Sequence, residues 1–434
     1  MDNLFQLMIL YLVYTGLSFW LFNGNFLSPC FIFSLSLSAM LCLAYYTAVT
    51  MGMLFAIGIR TFSIFAIAGI IFIATELCVY LLRASSCSLK LTDIHTKYEP
   101  LIIDRQIQIC ITLFFALSVL FAVYVLYINT PGGGWSSRMR AFKNLVLNKP
   151  DSLRYRFITS QMYKINIITV DLLGYVMIYN LTVCGVPVKQ VLSYIIDSAL
   201  YAVFSVVYSG ARQSAIEIIL FLIMIYLSLN MKPTDRKKIY RFMRRAVPVL
   251  ILTAALFTAS GSLVGRVETE KSSLQNLAEY ICGGLYFFNK HLDDPGTKVF
   301  GQASFAYAYS AVRHLGINIG NFESMIKGEF DIYGNTVTIF GRWYKDFGTS
   351  GVFIGTFIVA LIYSLTFYHR LIYTNNIKRE HHLTRIFYCQ FMTGLIWAGY
   401  DDRVASLLTT QNVIFLIFTS FLFWLLIDKK FKLI

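Results

Sequence analysis

Arginines beside apolar segments are the side chains of this chain best suited to bind an anion. Arg212 follows Ser209-Gly210-Ala211 and opens an apolar run at 213–230. Its guanidinium could bind two anionic oxygens at once, and the positive end of a helix dipole would add to its charge. The structural alternative is a side chain that only reaches from a helix end into the membrane interface. We predict that Arg212 binds an anion.

Five further arginines are candidates for the same chemistry, although each also has a structural explanation. Two of them fit a role in membrane topology. The other three lie within 264–350, where Arg342 could pair with Asp346 and the rest could lie on a solvated helix face. The five are Arg138, Arg140, Arg266, Arg313 and Arg342.

A general base is the second requirement of many group-transfer reactions. His314 titrates near neutrality, and Asp346 is a nearby carboxylate, although they could instead decorate an amphipathic helix and cap a helix, respectively. The sequence contains no Walker loop, His-Glu-x-x-His or Gly-x-Ser-x-Gly motif, and its eight Cys lack metal spacing. Gly132-Gly133-Gly134 could form a phosphate nest, but we favour a flexible exit from a membrane helix.

Membrane helices must position these residues. The chain has 434 residues, of which 57% are hydrophobic and 14% charged, so we predict an all-α polytopic membrane protein. Most of the net charge of +14 lies in short loops, so we attribute it to the positive-inside bias rather than to nucleic-acid binding. Apolar runs predict about eleven spans, within a range of about ten to twelve. They lie at 4–22, 27–48, 61–82, 107–128, 164–184, 190–208, 213–230, 246–263, 351–369, 385–400 and 404–427.

The longest polar interruption is 264–350, which must lie outside the hydrocarbon or line a cavity within the protein. It separates an N-terminal bundle, 1–263, from C-terminal helices and a tail, 351–434. Within it, apolar spacing predicts amphipathic helices at 274–288 and 305–315, with the first broken at Gly283-Gly284. We expect these helices to form a cap on the membrane surface.

Charge patterning predicts the orientation. The basic loops 231–245 and 370–385 and the basic C-terminal tail are typical of the cytoplasmic side, which puts 264–350 outside. Counting back from 231–245 puts 129–163 outside too, despite its six basic residues and single acidic one, and starts the chain outside. The charge rule alone would place 129–163 inside and require a missed or merged span. We favour the backward count, and the alternative stays open.

Two motifs resemble those of a known family. Asn335-Thr336-Val337-Thr338 is followed by aromatic residues and then by Asp346-Phe347-Gly348-Thr349-Ser350-Gly351, which leads into a membrane helix. The order Asn-x-x-Thr, then Asp-Phe-Gly-x-x-Gly, resembles the Wzy-type polymerases that join oligosaccharide repeat units. Ser209-Gly210-Ala211-Arg212 is similar to that family's small-small-Arg motif at an outer helix end. The rest of the chain matches the family in hydropathy only.

The resemblance implies a GT-C-like glycosyltransferase in the bacterial inner (plasma) membrane, with a cytoplasmic C-terminus and no cofactor. Such an enzyme moves a growing glycan from undecaprenyl pyrophosphate onto the next lipid-linked repeat unit, by inverting, metal-independent transfer on the outer face. The product would be O-antigen or capsular polysaccharide. Its partners would be the donor and acceptor lipid-linked oligosaccharides and the bilayer. A protein that regulates chain length could be a further partner.

Within this resemblance the candidate residues take distinct roles. Arg212 and Arg342 would stabilise the leaving diphosphate, and His314 or Asp346 would act on the acceptor hydroxyl. The remaining candidates would bind substrate: Arg138, Arg140, Arg266, Arg313, Asn335, Thr336, Thr338 and Tyr344.

Two other functions compete with a polymerase. One is a ligase of similar architecture that moves finished glycan onto lipid A core. The other is a flippase for the same lipid-linked sugars, but transporters tend to show paired halves and broken helices at the membrane centre. The two halves of the sequence do not resemble each other, and its longest polar segment is predicted to lie outside the membrane. Both features disfavour transport.

Overall fold

The described part of the chain is all-helical and contains no strand. The computed structural model describes residues 2–53, 55–86, 98–149, 152–209, 213–230, 244, 273–292, 301, 303–305, 309, 312, 316–317, 337–371, 379–404 and 410–428. Its main helices are α1 Asp2–Leu21, α2 Pro29–Met51, α3 Ile59–Ser86, α4 Arg105–Asn129, α5 Trp135–Asn148, α6 Arg156–Thr182, α7 Val188–Ser209, α8 Gln213–Asn230, α9 Ser273–His291, α10 Gly341–Thr366, α11 Arg379–Ile396 and α12 Thr410–Phe423.

Seven of these helices are long and apolar enough to cross a membrane: α1, α2, α3, α4, α6, α7 and α10. This confirms a polytopic membrane protein. The predicted spans at 213–230 and 404–427 correspond to shorter apolar helices, and that at 385–400 overlaps α11. The predicted span at 246–263 lies outside the described residues, so a total of about eleven stays a prediction.

The chain divides into two compact units. Unit 1 contains α1–α3 and α9–α11, and unit 2 contains α4–α8. In unit 1, two contacts show that the α1 and α3 helices run parallel. Asn3 near the start of α1 donates to the carbonyl of Ile57, just before α3, and Asn23 just beyond the end of α1 donates to the hydroxyl of Tyr80, near the end of α3. The α2 helix packs against both in the opposite direction.

Local sequence sets the limits of α2. Pro29 occupies its first turn and Ser28 caps it, accepting a hydrogen bond from the Phe31 N–H at 3.4 Å. Gly52 ends it in the left-handed conformation, with φ of 66°. Buried Glu76 of α3 fixes this start, since its carboxylate accepts from the Ser28 hydroxyl and the Cys30 N–H, each at 2.6 Å.

The α9 helix differs from the prediction of a broken cap. It runs without interruption through Gly283-Gly284, and its apolar face is buried within unit 1 rather than open. The reason is close packing: a Cβ placed on Gly284 would lie 2.7 Å from the Tyr400 carbonyl oxygen and 3.1 Å from the Thr338 nitrogen. Glycine at this position therefore serves a backbone-to-backbone contact and does not end the helix.

Unit 2 is a bundle in which α6 and α8 run parallel and α7 runs against them. Tyr163 near the start of α6 stacks on Tyr208 near the end of α7, with ring centroids 4.9 Å apart. Gly174 in the middle of α6 faces Leu222 in the middle of α8. The α5 basic segment and the end of α8 therefore lie at opposite ends of this unit.

Candidate functional site

The α10 helix is a hairpin of two arms, which is the feature that organises the candidate site. Gly348 has φ of 66° and ψ of −155°, a conformation that essentially only glycine adopts, and it separates arm 341–347 from arm 349–366. A Cβ on Gly355 would lie 2.6 Å from the Trp343 ring, although residues twelve apart in a straight helix are separated by about 18 Å. The Asp-Phe-Gly-x-x-Gly motif is thus the turn of this hairpin.

The first arm begins in the interior of unit 1. Phe340, which precedes it, is buried and its ring lies 4.7 Å from that of Phe65 and 6.2 Å from that of Phe33. Phe340 and Val359 line one apolar cavity of about 10 Å³, too small for more than about one water. Because Phe340 precedes Gly348 by eight residues, it lies at most about 12 Å from the turn along the helix axis.

The non-helical segment just before α10 contacts a second non-helical segment, which follows α11. The α11 helix ends at Ile396 and is followed by a turn. In this turn the carbonyl of Ala398 accepts a hydrogen bond from the Ile339 N–H at 2.9 Å. Gly399 faces Met40 in the middle of α2. Non-helical backbone at this depth is tolerated where protein surrounds it, and here it is buried between α2, α9 and α10.

An ion pair lies where these two segments meet. The Arg342 Nε is 3.9 Å from Oδ2 of Asp402, whose side chain is fully buried, while that of Arg342 is 17% exposed. Ionisable groups in a membrane bundle are costly to bury and are mostly retained for function. Arg403 pairs with Asp401 beside them, with Nε and Oδ2 3.0 Å apart.

The structure gives Asp346 a different partner from the predicted Arg342. Its two oxygens accept hydrogen bonds from the Ala303 N–H at 3.0 Å and the Ser304 N–H at 2.6 Å. The carboxylate is buried and holds the 303–304 turn against the hairpin. A catalytic role for Asp346 stays a prediction.

Two predicted sugar-binding residues also lie on this hairpin or just before it. The Tyr344 hydroxyl donates to the Leu292 carbonyl at 3.4 Å, and its ring packs edge-on against Phe288. Thr338 is fully buried, and its hydroxyl has no hydrogen-bond partner among the residues that the structure describes. Binding of a sugar by Thr338 stays a prediction.

Arg138 and Arg140 lie in unit 2, on α5. Arg138 turns back on the end of α4, where its guanidinium donates to the carbonyls of Thr130 and Gly133 and lies 4.5 Å from the centre of the Tyr127 ring. The bond to Thr130 satisfies a carbonyl that the end of α4 leaves open. Arg140 is exposed. Binding of substrate by either side chain stays a prediction.

Six predicted residues fall outside the described part of the chain: Arg212, Arg266, Arg313, His314, Asn335 and Thr336. The flanks of Arg212 are described. Ser209 ends α7 and Gln213 begins α8, at the end of unit 2 that also holds Arg156 at the start of α6.

Sequence reasoning missed Asp402 as a partner of Arg342. The two residues are separated by a membrane helix and α11, so no local spacing connects them. A signal was nevertheless present, because Asp401-Asp402-Arg403 places three charges between two predicted spans.

No protein-family model, curated protein or solved structure matches the chain. In the ranges that the structure describes, no three His, Cys, Asp or Glu side chains come together as metal ligands. The assignment of a function therefore depends on the fold, on the Arg342–Asp402 pair of unit 1 and on the basic α5 segment of unit 2.

Proposed function

We propose that the protein is a membrane glycosyltransferase that polymerises polyprenyl-pyrophosphate-linked oligosaccharide repeat units into O-antigen or capsular polysaccharide. The observation that supports this most is the hairpin whose turn is the Asp-Phe-Gly-x-x-Gly motif, since it sets Arg342 opposite Asp402. The motif that resembles Wzy-type polymerases thereby coincides with a buried charge pair. The proposal includes about eleven spans, a GT-C-like arrangement and an active site on the outer face of the bacterial inner membrane.

The proposed reaction breaks the bond between the donor sugar and its lipid diphosphate and forms a bond to an acceptor hydroxyl. Charge develops on the leaving diphosphate, so arginines are the groups that this step requires. We assign that role to Arg212 and Arg342. Arg342 could exchange its contact with Asp402 for a diphosphate oxygen, since the 3.9 Å separation is longer than a hydrogen bond.

The acceptor hydroxyl must lose a proton to a base. Asp346 is poorly suited, because both of its oxygens already accept backbone N–H groups. His314 is therefore the stronger candidate base within this proposal.

Transport of a lipid-linked oligosaccharide is a second candidate, and one observation favours it. Transporters place broken helices at the centre of the membrane. The non-helical segments before α10 and after α11 contact each other in the interior of unit 1, whereas the sequence predicted the first to lie outside the membrane and the second to be the end of a span. The apolar cavity at Phe340 measures about 10 Å³, which is too small for a sugar.

Deletion of the gene distinguishes these functions through gel analysis of the surface glycan. The proposal predicts that the ladder of polymer lengths collapses to a single repeat unit on lipid A core. Wild-type protein should restore the ladder and Arg212→Ala should not, at equal protein levels. Loss of all glycan from lipid A core would instead indicate a ligase or a transporter and would overturn the proposal.

A further inference from the structure

A cleft with a mixed polar and apolar lining lies at one end of unit 2, between the end of α4 and the α5 helix. Its volume is about 460 Å³. Asn129, the last residue of α4, sets one wall by pairing with the backbone of Arg154, accepting from its N–H at 2.8 Å and donating to its carbonyl at 3.3 Å. This pairing brings the end of α4 to the start of α6, so the cleft has a fixed base.

Arg138 fixes the second wall. Its bonds to the Thr130 and Gly133 carbonyls hold the loop that leaves α4, in which Gly132 and Gly133 have φ of 84° and 80°. The loop predicted to be a flexible exit is instead anchored by a guanidinium. The same guanidinium lies 4.5 Å from the centre of the Tyr127 ring.

The groups that line the cleft suit an anion. Ser137, Ala141 and Asn144 share one face of α5, because they are four and three residues apart, and Lys149 follows that helix. The opposite face carries Met139 and Phe142, which are buried in unit 2. Among the described residues that line the cleft there is no Asp or Glu, and the sequence from 138 to 156 holds six basic residues against one acidic residue.

Exposed aromatic rings surround this end of unit 2. They are Tyr124, Tyr127, Trp135 and Tyr155, each at least 38% exposed. Tyrosine and tryptophan collect at this level of membrane proteins because one part of the ring is apolar and another is polar. With α4 as a membrane span, the cleft therefore lies at the depth of lipid headgroups, beside an amphipathic, basic helix of the kind that lies in the interface.

We propose that this cleft binds the phosphate of an anionic phospholipid headgroup from the surrounding bilayer. Lys149 supplies the charge, and Ser137 and Asn144 supply hydrogen bonds to the phosphate or glycerol oxygens. The bound lipid holds α5 at the membrane interface. This site is independent of the proposed glycosyl transfer, since it would bind bilayer lipid whether the protein polymerises or transports.

Native mass spectrometry of the full-length protein, released from nanodiscs of equal phosphatidylglycerol and phosphatidylcholine, tests the proposal. We expect retained phosphatidylglycerol to fall severalfold in Lys149→Gln and to stay at the wild-type level in Lys189→Gln. Lys189 is the matched control, because it is an exposed lysine at the opposite end of unit 2. Ala141→Phe, which fills the cleft without changing charge, should also lower retention severalfold.

Three results would overturn the proposal. One is equal retention of phosphatidylglycerol in Lys149→Gln and Lys189→Gln, and another is no preference of the wild-type protein for phosphatidylglycerol over phosphatidylcholine. The third is full displacement of the retained lipid by millimolar inorganic phosphate, which would indicate a site for free anions. Lipid that phosphate does not displace supports a headgroup site.

Discussion

Arg342 and Asp402 lie opposite each other in the interior of unit 1. A substitution of either residue can therefore change the free energy of unfolding as well as the proposed catalytic step. Removing one partner of a buried pair leaves the other charge uncompensated, whereas replacing both can be nearly neutral. This asymmetry allows the two contributions to be separated by experiment.

Arg342→Gln should lower the free energy of unfolding by about 1–3 kcal/mol, less than the ~3–5 kcal/mol of a fully buried pair because Arg342 keeps some exposure. The double variant Arg342→Gln with Asp402→Asn should recover most of that loss but not polymer synthesis. Thermal unfolding in detergent and glycan gels measure the two effects. A double variant no more stable than Arg342→Gln would mean that this pair does not set the stability, and one that makes full-length polymer would remove Arg342 from the chemistry.

Glu76 is a second buried ionisable side chain, and its hydrogen bonds join three elements. Besides the start of α2, its carboxylate accepts from the Tyr368 hydroxyl at 2.8 Å, on the π-helical turn Phe367–Leu371 that follows α10. Glu76→Ala leaves these three donors without their acceptor and should destabilise the protein by about 2–4 kcal/mol.

Tyr368→Phe removes only one of these bonds and should cost about 1–2 kcal/mol. Tyr80→Phe is the matched control, because the Tyr80 hydroxyl accepts from Asn23 at an exposed site and should matter by less than about 0.5 kcal/mol. Equal melting temperatures for Tyr368→Phe and Tyr80→Phe would show that the Glu76 contacts do not hold α2, α3 and the π-helical turn together.

Among the elements, the hairpin of α10 depends on two glycines for different reasons. Gly348 supplies a conformation closed to other residues, and Gly355 leaves room for the Trp343 ring. Both requirements follow from close approach of the two arms and not from helix propensity.

Gly355→Ala should destabilise the protein by about 1–3 kcal/mol, because the added methyl group would overlap a buried, rigid ring. The second change Trp343→Leu should recover part of that loss. Gly16→Ala is the control: nothing lies within 4 Å of its added Cβ, so the gain in helix propensity makes it neutral or stabilising by up to about 1 kcal/mol. Melting temperatures that do not distinguish Gly355→Ala from Gly16→Ala would contradict the hairpin.

The sequence was sufficient to predict those elements that depend on local apolar content. Continuous apolar runs predicted α1–α4 and α6–α8 because a membrane helix satisfies its backbone within itself. The hairpin was missed because arm 349–366 alone is long enough to be a span, and arm 341–347 was assigned to the preceding polar segment. The unbroken course of α9 through Gly283-Gly284 was missed because only tertiary packing shows what the glycines contact.

For the whole molecule, the packing of unit 2 bears on the disputed orientation. The α6, α7 and α8 helices alternate in direction and separate the α5 segment from residue 230. With a cytoplasmic loop at 231–245, this order favours an outer position for α5. The membrane orientation itself stays a prediction.

Cysteine accessibility tests that orientation. Ser152→Cys, at the α5 end, should react with a membrane-impermeant thiol reagent in intact spheroplasts, above the labelling of the native cysteines. Lys189→Cys, at the other end of unit 2, should react only after lysis. The reverse pattern would place the basic segment in the cytoplasm and withdraw Arg138 and Arg140 from substrate binding.

In the proposed reaction, this membrane protein joins lipid-linked sugars and releases a diphosphate carrier. The most direct measurement uses purified protein in proteoliposomes with lipid-linked repeat units, following both chain length and free polyprenyl pyrophosphate by mass spectrometry. The account predicts one carrier released for each new linkage, and no release by Arg212→Ala. Repeat units that cross the bilayer unchanged, with no carrier released, would contradict it and indicate a transporter.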